Sequence, residues 1–354
     1  MLTLIDRYIG RVVTFGVISV LLLLLVLLGF FELLAELDSV ESDYTAVKAF
    51  TYVALVLPRH TYEMFPIATL LGSLIGLGSL AANSELVAMR VAGISISRIL
   101  WAVLQAGLLL LVLVILVGEY LAPLAEQKAQ RIKMESLTKQ VTLKTRYGFW
   151  SRHGNNYYNF RRILADGRLA DISIYEYDGV RKLQRATQAK LATFRGDHWL
   201  LEQVRQSEFL GERIKASKRK ELKWPTLLDP DVVDVITVKP HMLPAWDLWR
   251  YVSFLQDNGQ DATTYEVAFW SKVVTPLVTL VMLFLSVPFV FGPLRSVGIG
   301  QRVFTGAIIG IVFHLLNKTF SYMAVVYGIS PFIAASTPTL LFTIGGFWYF
   351  RRVH

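Results

Sequence analysis

Cysteine is absent from this chain, and charged side chains make up only 18% of its 354 residues. The lack of cysteine excludes disulfide bonds, thiolate metal sites and cysteine nucleophiles, so an exported domain must be held by its own packing. The G-x-x-x-x-G-K-[ST] phosphate loop is missing, as are the H-E-x-x-H and G-x-S-x-G patterns of hydrolases. His314 stands alone among apolar neighbours and is interpreted as a buried histidine. The sequence therefore predicts a noncatalytic protein.

Apolar sequence is abundant, since 54% of the residues are hydrophobic and the mean hydropathy is +0.46. Soluble proteins rarely have this composition. Long apolar runs lie three on each side of a polar insert, at 12–35, 52–82, 99–121, 267–291, 303–327 and 331–350. Each run reaches the roughly 20 residues that a helix needs to cross about 30 Å of hydrocarbon, where only intrahelical hydrogen bonds satisfy the backbone. The sequence thus predicts an α-helical integral membrane protein with six transmembrane helices.

Basic residues in the short connections predict the orientation, because lysine and arginine concentrate in cytoplasmic loops. They precede the first run, lie between runs two and three and between runs four and five, and follow the sixth: Arg7, Arg11, Arg90, Arg98, Arg295, Arg302, Arg351 and Arg352. The opposite side receives the polar insert and an acidic loop with Glu36, Asp38, Glu41 and Asp43. We therefore expect cytoplasmic termini and an exported insert.

The insert divides the chain into a first membrane half at 1–133, an exported domain at 134–240, and a connecting helix with the second membrane half at 241–354. Alternation at 172–177 and turns at 178–179 and 196–197 predict short strands in an all-β sandwich or roll. Basic residues outnumber acidic ones by 24 to 17 between 124 and 265. One dense run resembles a phosphate-binding patch, although a solvated strand or loop is favoured: Lys215, Lys218, Arg219, Lys220 and Lys223.

The connection between runs two and three contains a short helix-like segment at about 83–95. Asn83 or Ser84 can cap its free amides, and Gly93 can end it. Two interpretations stand: the segment is a surface-lying connector, or it docks into a groove on a soluble partner. In the second case apolar residues fill the groove and an acid pairs with a basic side chain, which makes the coupling candidates Glu85, Leu86, Met89 and Arg90.

Five short segments together resemble one known family. They read IDRYIG at 5–10, SELV at 84–87, GEYLAP at 118–123, DISIY at 171–175 and FGPLRSV at 291–297. With these segments the chain resembles, over essentially its whole length, the lipopolysaccharide export permeases of the LptF/LptG family, in particular the LptG type. The resemblance implies a bacterial inner-membrane permease with six spans and a periplasmic β-jellyroll between the third and fourth.

The same resemblance implies several partners. Permeases of this family pair with a homologous permease, LptF, and with a cytoplasmic LptB ATPase dimer, and ATP hydrolysis extracts lipopolysaccharide from the outer leaflet. The lipid then passes to the periplasmic LptA bridge, while single-span LptC associates beside span one. The segment at 83–95 is then the coupling helix, and Glu85 forms a salt bridge to the ATPase. This chain itself is expected to bind no cofactor, metal or nucleic acid, since ATP and Mg²⁺ belong to the ATPase.

Basic residues near the exported ends of the spans are the candidate ligands for lipid phosphates, because a guanidinium can donate two parallel hydrogen bonds to phosphate. Arg59, just after Pro58, corresponds to a basic position in the family. The other candidates are Lys128, Arg131, Lys133 and Lys318. Snorkelling to the headgroups is an equally good interpretation of the basic residues at the span ends. Lys318, deep in span five, is expected to face a cavity or to pair with an acid such as Glu63.

One departure from the family concerns the outer end of span one, where basic residues are common but this chain carries Glu32, Glu36 and Asp38. Two interpretations remain for these acids. They bridge to lipid phosphates through Mg²⁺ or Ca²⁺, or they face the single-span partner. Lys272, near the start of span four, is interpreted as a span-end lysine that reaches the membrane interface.

Glycines at four-residue spacing predict close helix packing in spans two and five: Gly72, Gly76, Gly306 and Gly310. The pair in span five lies either inside the subunit or at a moving interface with another subunit. Two other functions remain open from the residues alone. The chain is a membrane scaffold whose β domain recruits partners, or an ion-coupled transporter with Lys318 in a proton relay.

Overall fold

The computed structural model describes residues 4–40, 44–137, 143–153, 155–164, 168–178, 182–196, 198–210, 213–224, 240–292 and 297–353. Several residues used above lie outside these ranges: Glu41, Asp43, Gly179, Asp197 and residues 293–296. The chain divides into two compact units. One consists of Met1–Gln130, Pro244–Trp249 and Thr263–His354, and the other of Arg131–Leu243 and Arg250–Ala262.

The helices precede and follow a central sheet. Before it lie α1 (Leu4–Leu37), α2 (Ala46–Ala82), α3 (Glu85–Val91), α4 (Ile96–Leu116), a π-helical turn (Val117–Leu121) and α5 (Ala122–Leu137). After it lie α6 (Ala245–Asp257), α7 (Thr263–Phe291), α8 (Ile299–Tyr327) and α9 (Pro331–Val353).

Five helical segments of the described chain are long and apolar enough to cross a membrane: α1, α2, Ile96–Lys133, α7 and α8. α9 forms at the sixth predicted position and packs along α7 and α8. It is less apolar than the others, because it contains Pro338, Gly345, Gly346 and several hydroxyl side chains. The prediction of an α-helical membrane protein with an inserted β domain is confirmed.

α2 is the central helix of the first unit, because it packs against α1, α7 and α8. In the most apolar 18-residue stretch of α2, 72% of the residues are buried, whereas in the corresponding stretches of α1 and α8 only 22% are buried. The core of the unit includes Leu70, Leu74 and Leu77 of α2. α1 and α8 therefore keep long apolar faces on the outside of the chain.

Glycine allows the backbones of α1 and α2 to approach each other. Gly16 of α1 lies against Gly72 of α2, so that a methyl group added at Gly72 would collide with the backbone of Val17. A methyl group added at Gly76 would lie 3.0 Å from the carbonyl oxygen of Val12. The predicted close packing at Gly72 and Gly76 thus joins α2 to α1.

The glycines of α8 face the same central helix. A methyl group added at Gly306 would lie 2.7 Å from the side chain of Leu74, and one added at Gly310 would lie 3.3 Å from Ile67. Leu74 and Ile67 both belong to α2. Of the two interpretations of this glycine pair, the structure supports packing within the chain.

The second unit is built on a six-stranded antiparallel sheet with strands β1 (Leu143–His153), β2 (Asn156–Ile163), β3 (Leu169–Tyr177), β4 (Leu183–Phe194), β5 (Trp199–Leu210) and β6 (Arg213–Trp224). The described strands pair in sequence order, as a meander. One face carries the core of the domain, including Tyr158, Ile172 and Trp199. The predicted alternation at 172–177 lies in β3, and Gly196, with φ 89°, lies in the turn between β4 and β5.

Candidate functional site

The connection between α2 and α4 contains the predicted short helix, α3. Ser84 occupies its N-cap position with φ 60°, but its side chain forms no capping hydrogen bond, so of the two predicted caps the one from Ser84 is wrong. The other end is closed as predicted, since Gly93 has φ 88°. The amides of Gly93 and Ile94 donate to the carbonyl oxygens of Arg90 and Met89, each at 3.0 Å. These two hydrogen bonds form a Schellman motif, which fixes the end of the helix.

α3 turns one face into the protein and the other outward. Leu86 is only 2% exposed and belongs to the core of the first unit, and Met89 packs against the same core. Arg90 lies on the outer face with Val87 and Val91, and Val91 is 84% exposed. Leu86 and Met89 therefore attach the turn to its own chain, and the apolar side chains that face outward are instead Val87, Ala88 and Val91.

Two contacts join the start of α1 to this region. Tyr8 donates its hydroxyl hydrogen to Oε2 of Glu85 at 2.6 Å. Arg98 Nη2 donates to Oδ2 of Asp6 at 2.8 Å, and the Asp6 side chain is 2% exposed. Tyr8 and Asp6 both belong to the IDRYIG segment. No local pattern could pair them with residues 77 and 92 positions away.

Toward the far end of the same unit, Arg59 lies between two carboxylates. Its Nη1 is 3.1 Å from Oε1 of Glu63, and its Nε is 3.2 Å from Oε2 of Glu126. The Glu63 side chain is 39% exposed, whereas that of Glu126 is 2% exposed. Gln130 donates to Oε1 of Glu126 and to the hydroxyl of Tyr52, both at 3.2 Å. Arg59 therefore has one buried and one accessible acidic partner, which the sequence analysis did not predict.

The acidic end of α1 is also engaged within the chain. Glu32 lies 3.7 Å from Nε2 of His60, whose Nδ1 is 3.7 Å from Glu63. Glu36 is buried and accepts a hydrogen bond from the Tyr44 hydroxyl at 2.7 Å. Burial and this hydrogen bond raise the pKa of Tyr44, so the phenol remains a donor at neutral pH. Two of the three acids that depart from the family pattern therefore have partners on α2 or just before it.

The remaining candidates for substrate binding differ in exposure. Lys128 and Arg131 are exposed on α5, and Lys133 is partly buried. Lys318 is exposed on α8, one turn beyond His314, which is exposed rather than buried as predicted. Glu63 pairs with Arg59 and His60 in the described structure, so the alternative pairing of Lys318 with Glu63 is not formed.

Lys272 is largely buried and paired within the chain, contrary to its interpretation as a span-end lysine that reaches outward to the interface. Its side chain is 10% exposed, and Nζ lies 3.3 Å from Oε1 of Glu119 and 3.3 Å from the carbonyl oxygen of Gly118. The other carboxylate oxygen of Glu119 accepts the backbone N–H of Ala245, the first residue of α6, at 2.7 Å. Glu119 lies in the π-helical turn. This one carboxylate therefore joins α7 to the start of α6.

Arg302 is another residue whose position the sequence did not reveal. The sequence places it in the short basic connection before span five, yet it is 1% exposed, and its Nη1 donates to the carbonyl oxygen of Gly78 in α2. A methyl group added at Gly78 would lie 2.6 Å from that nitrogen. Glycine at position 78 therefore makes room for the guanidinium.

Comparison with known proteins agrees with this architecture. Residues 7–352 match the family model described as lipopolysaccharide export system permease LptF/LptG. The chain is 36% identical to the lipopolysaccharide export system permease protein LptG of Escherichia coli (strain K12), over 98% of both chains. It is 34% identical to the protein of the same name from Haemophilus influenzae (strain ATCC 51907 / DSM 11121 / KW20 / Rd), over 99% of both chains. This multi-pass protein of the inner membrane therefore belongs to the LptF/LptG family of lipopolysaccharide export permeases.

Proposed function

We propose that this chain is the permease subunit of an ATP-driven ABC transporter that extracts lipopolysaccharide from the outer leaflet of the bacterial inner membrane. LptF is its paired permease, an LptB dimer hydrolyses ATP with Mg²⁺, LptC associates through a single span, and the LptA bridge carries the lipid onward. Family membership and the names of the relatives support the substrate. The arginines of the short connections support cytoplasmic termini and a periplasmic β domain.

The two-faced structure of α3 is the observation that carries this proposal. Its outer face presents Arg90, Val87 and Val91 to a soluble partner, while Leu86 is held in the core of the first unit. Met89 packs against the same core, so the helix is attached to this unit at two positions. A displacement of α3 by the ATPase is therefore passed to the transmembrane helices.

Glu85 contacts both its own chain and, in this proposal, the ATPase. Tyr8 binds Oε2 of Glu85, and a carboxylate has further acceptor positions, so Oε1 is available to a basic side chain of the ATPase. Through Tyr8, the same carboxylate is joined to the start of α1, and through Asp6 and Arg98 α1 is joined to α4. Motion of the coupling helix then moves α1 and α4 together with α2.

On the substrate side, Arg59 is the proposed ligand of a lipid phosphate. The accessible Glu63 is the partner that a phosphate replaces, because both present oxygen acceptors to the same guanidinium. The buried Glu126 stays bound to Nε and keeps the guanidinium oriented. Four further cations, exposed or partly buried, are proposed as ligands of lipid phosphates: Lys128, Arg131, Lys133 and Lys318.

Charge reversal at Glu85 tests the coupling. In the complex reconstituted with its ATPase, Glu85→Lys should reduce lipid transfer by more than about tenfold, because like charges across an interface cost several kcal/mol. Asp257→Lys, which reverses an exposed acid at the end of α6, is the matched control and should retain transfer. Tyr8→Phe removes only the contact inside the chain and should have a smaller effect. Unchanged complex formation and transfer in Glu85→Lys would refute the proposal.

Photocrosslinking tests the substrate contacts separately. A photoreactive amino acid in place of Arg59 or Lys318 should crosslink to lipopolysaccharide in reconstituted vesicles, and the crosslink should decrease when ATP and the ATPase are added. If a complex that exports lipid gives no crosslink at either position, Arg59 and Lys318 have structural roles only.

A further inference from the structure

A groove of about 610 Å³ crosses one face of the β domain. Its lining comes from the five strands β2 to β6. One acidic residue, Asp171, lines it, together with six basic ones: Arg161, Lys190, Arg205, Lys218, Arg219 and Lys220. The volume lies within the range of roughly 300–1,000 Å³ typical of small-molecule sites. The groove therefore has the size and charge of a site for an anion larger than a single ion.

The acid in the groove does not neutralise these cations. Oδ2 of Asp171 accepts a hydrogen bond from Nε of Arg162 at 2.8 Å and forms an ion pair with Nη2 of the same arginine at 2.8 Å. Within the described part of the chain, none of the six basic lining residues has a carboxylate at ion-pair distance. The opposite end of the sheet differs, since Arg185 lies 2.9 Å from Glu208 and 3.3 Å from Glu176. Positive charge is thus compensated beyond the groove and uncompensated within it.

The sheet also retains two unfavourable features at the groove. Arg205 and Lys218 are directly opposite each other in the register of β5 and β6, and like charges in that position destabilise a sheet. Asp171 and Gln203 have φ values of 54° and 52°, which are rare for residues other than glycine. Both line the groove. Strained backbone of this kind concentrates at functional sites, which is a reason to assign this face a ligand.

We propose that this groove binds the phosphorylated saccharide headgroup of the exported glycolipid. The cations supply charge-assisted hydrogen bonds to phosphate oxygens. Ser173, Gln188 and Gln203 line the same groove and supply neutral donors and acceptors for sugar hydroxyls. The choice of headgroup rests on the proposed function, because that function makes a phosphorylated glycolipid the molecule that reaches this domain.

The basic run of β6 provides a matched pair of variants. Lys218 and Lys220 line the groove. Lys215 and Lys223 are exposed on the same strand but do not line it, and in the register they lie opposite Glu208 and Leu200. Replacing either pair by glutamine removes the same charge from the same strand. Comparing the two pairs therefore distinguishes specific binding in the groove from general electrostatic attraction to a basic domain.

The test uses the full chain in nanodiscs of zwitterionic phospholipid, without partners or ATP, and calorimetry. The probe is a bis-phosphorylated glucosamine disaccharide without acyl chains. Lys218→Gln with Lys220→Gln should weaken its binding by about tenfold, since two charge-assisted contacts are lost. Lys215→Gln with Lys223→Gln should weaken it by less than about twofold, because neither lysine lines the groove. Equal thermal unfolding of all proteins verifies that the variants fold.

Three results would overturn the inference: equal weakening by both pairs, equal affinity for the same disaccharide without phosphates, or complete displacement of the probe by phosphatidylglycerol in the discs. The last result would assign the groove to the membrane surface. This binding test needs no ATPase, so its failure leaves the coupling proposal intact. Conversely, full transfer by Glu85→Lys would refute the coupling and leave measured binding in the groove unaffected.

Discussion

At the scale of single residues, oppositely charged partners determine where charged side chains are buried inside the first unit. The side chains of Glu126 and Lys272 are 2% and 10% exposed, and each has an oppositely charged partner, Arg59 and Glu119 respectively. Removing an ion from water costs several kcal/mol unless it is paired and hydrogen-bonded. Such pairs add little net stability, but the loss of one partner leaves a buried charge. The consequence is that Arg59 has a structural role beside its proposed role in binding phosphate.

The first prediction follows from this pairing. Arg59→Met should destabilise the chain by about 3–5 kcal/mol, because Glu126 loses its ionic partner while remaining buried. Glu63→Gln should cost less than about 1 kcal/mol, since Glu63 is accessible to solvent. Arg59→Met combined with Glu126→Gln should recover most of the loss. Unfolding in detergent measures these differences, and equal effects of Arg59→Met and Glu63→Gln would contradict the assignment.

At the scale of elements, glycine and hydrogen-bonded turns determine how helices meet. Gly16 and Gly72 bring α1 and α2 into backbone contact, Gly78 accommodates Arg302, and Glu119 joins the π-helical turn to α6 and α7. Side chains cannot rearrange to relieve a collision between two backbones. α1 is therefore held along α2 by contacts that have no space for a larger residue.

The second prediction compares two helical glycines. Gly72→Ala should destabilise the chain by about 1–3 kcal/mol or more, because its methyl group meets the backbone of Val17. Gly345→Ala, in α9, has nothing within 4 Å of the added methyl group. It should be neutral or stabilise by up to about 1 kcal/mol, since alanine favours helix. Thermal unfolding of both variants provides the measurement, and equal melting temperatures would contradict the packing.

At the scale of the whole molecule, the absence of cysteine permits a direct test of orientation. Every introduced cysteine is the only thiol in the protein. Val91 on α3 is 84% exposed, and Lys215 on β6 is exposed as well. The proposed topology places α3 in the cytoplasm and the sheet in the periplasm. These two positions therefore report on opposite sides of the membrane.

The third prediction uses a membrane-impermeant maleimide on spheroplasts. Lys215→Cys should react in intact spheroplasts, whereas Val91→Cys should react only after lysis. Labelling of both after lysis is the control for accessibility. Reaction of Val91→Cys in intact spheroplasts, with protection of Lys215→Cys, would reverse the topology and would refute the placement of the coupling helix beside a cytoplasmic ATPase.

The sequence alone determined the apolar helices, the inserted strands, the end of α3 at Gly93 and the basic short connections. These follow from local hydropathy, periodicity and backbone preference, which a linear pattern records. The five short segments together also determined the family.

Only the tertiary structure decided that Arg59 lies between two carboxylates, that Lys272 and Arg302 point inward, and that Leu86 belongs to the core. It also divided the basic run of β6 into residues that line a groove and residues that do not. The contacts responsible join residues far apart in the chain, such as Lys272 and Glu119 at a separation of 153 positions. The sequence shows that a charged residue lies within an apolar run. The direction in which its side chain points depends on which distant partner the fold brings to it.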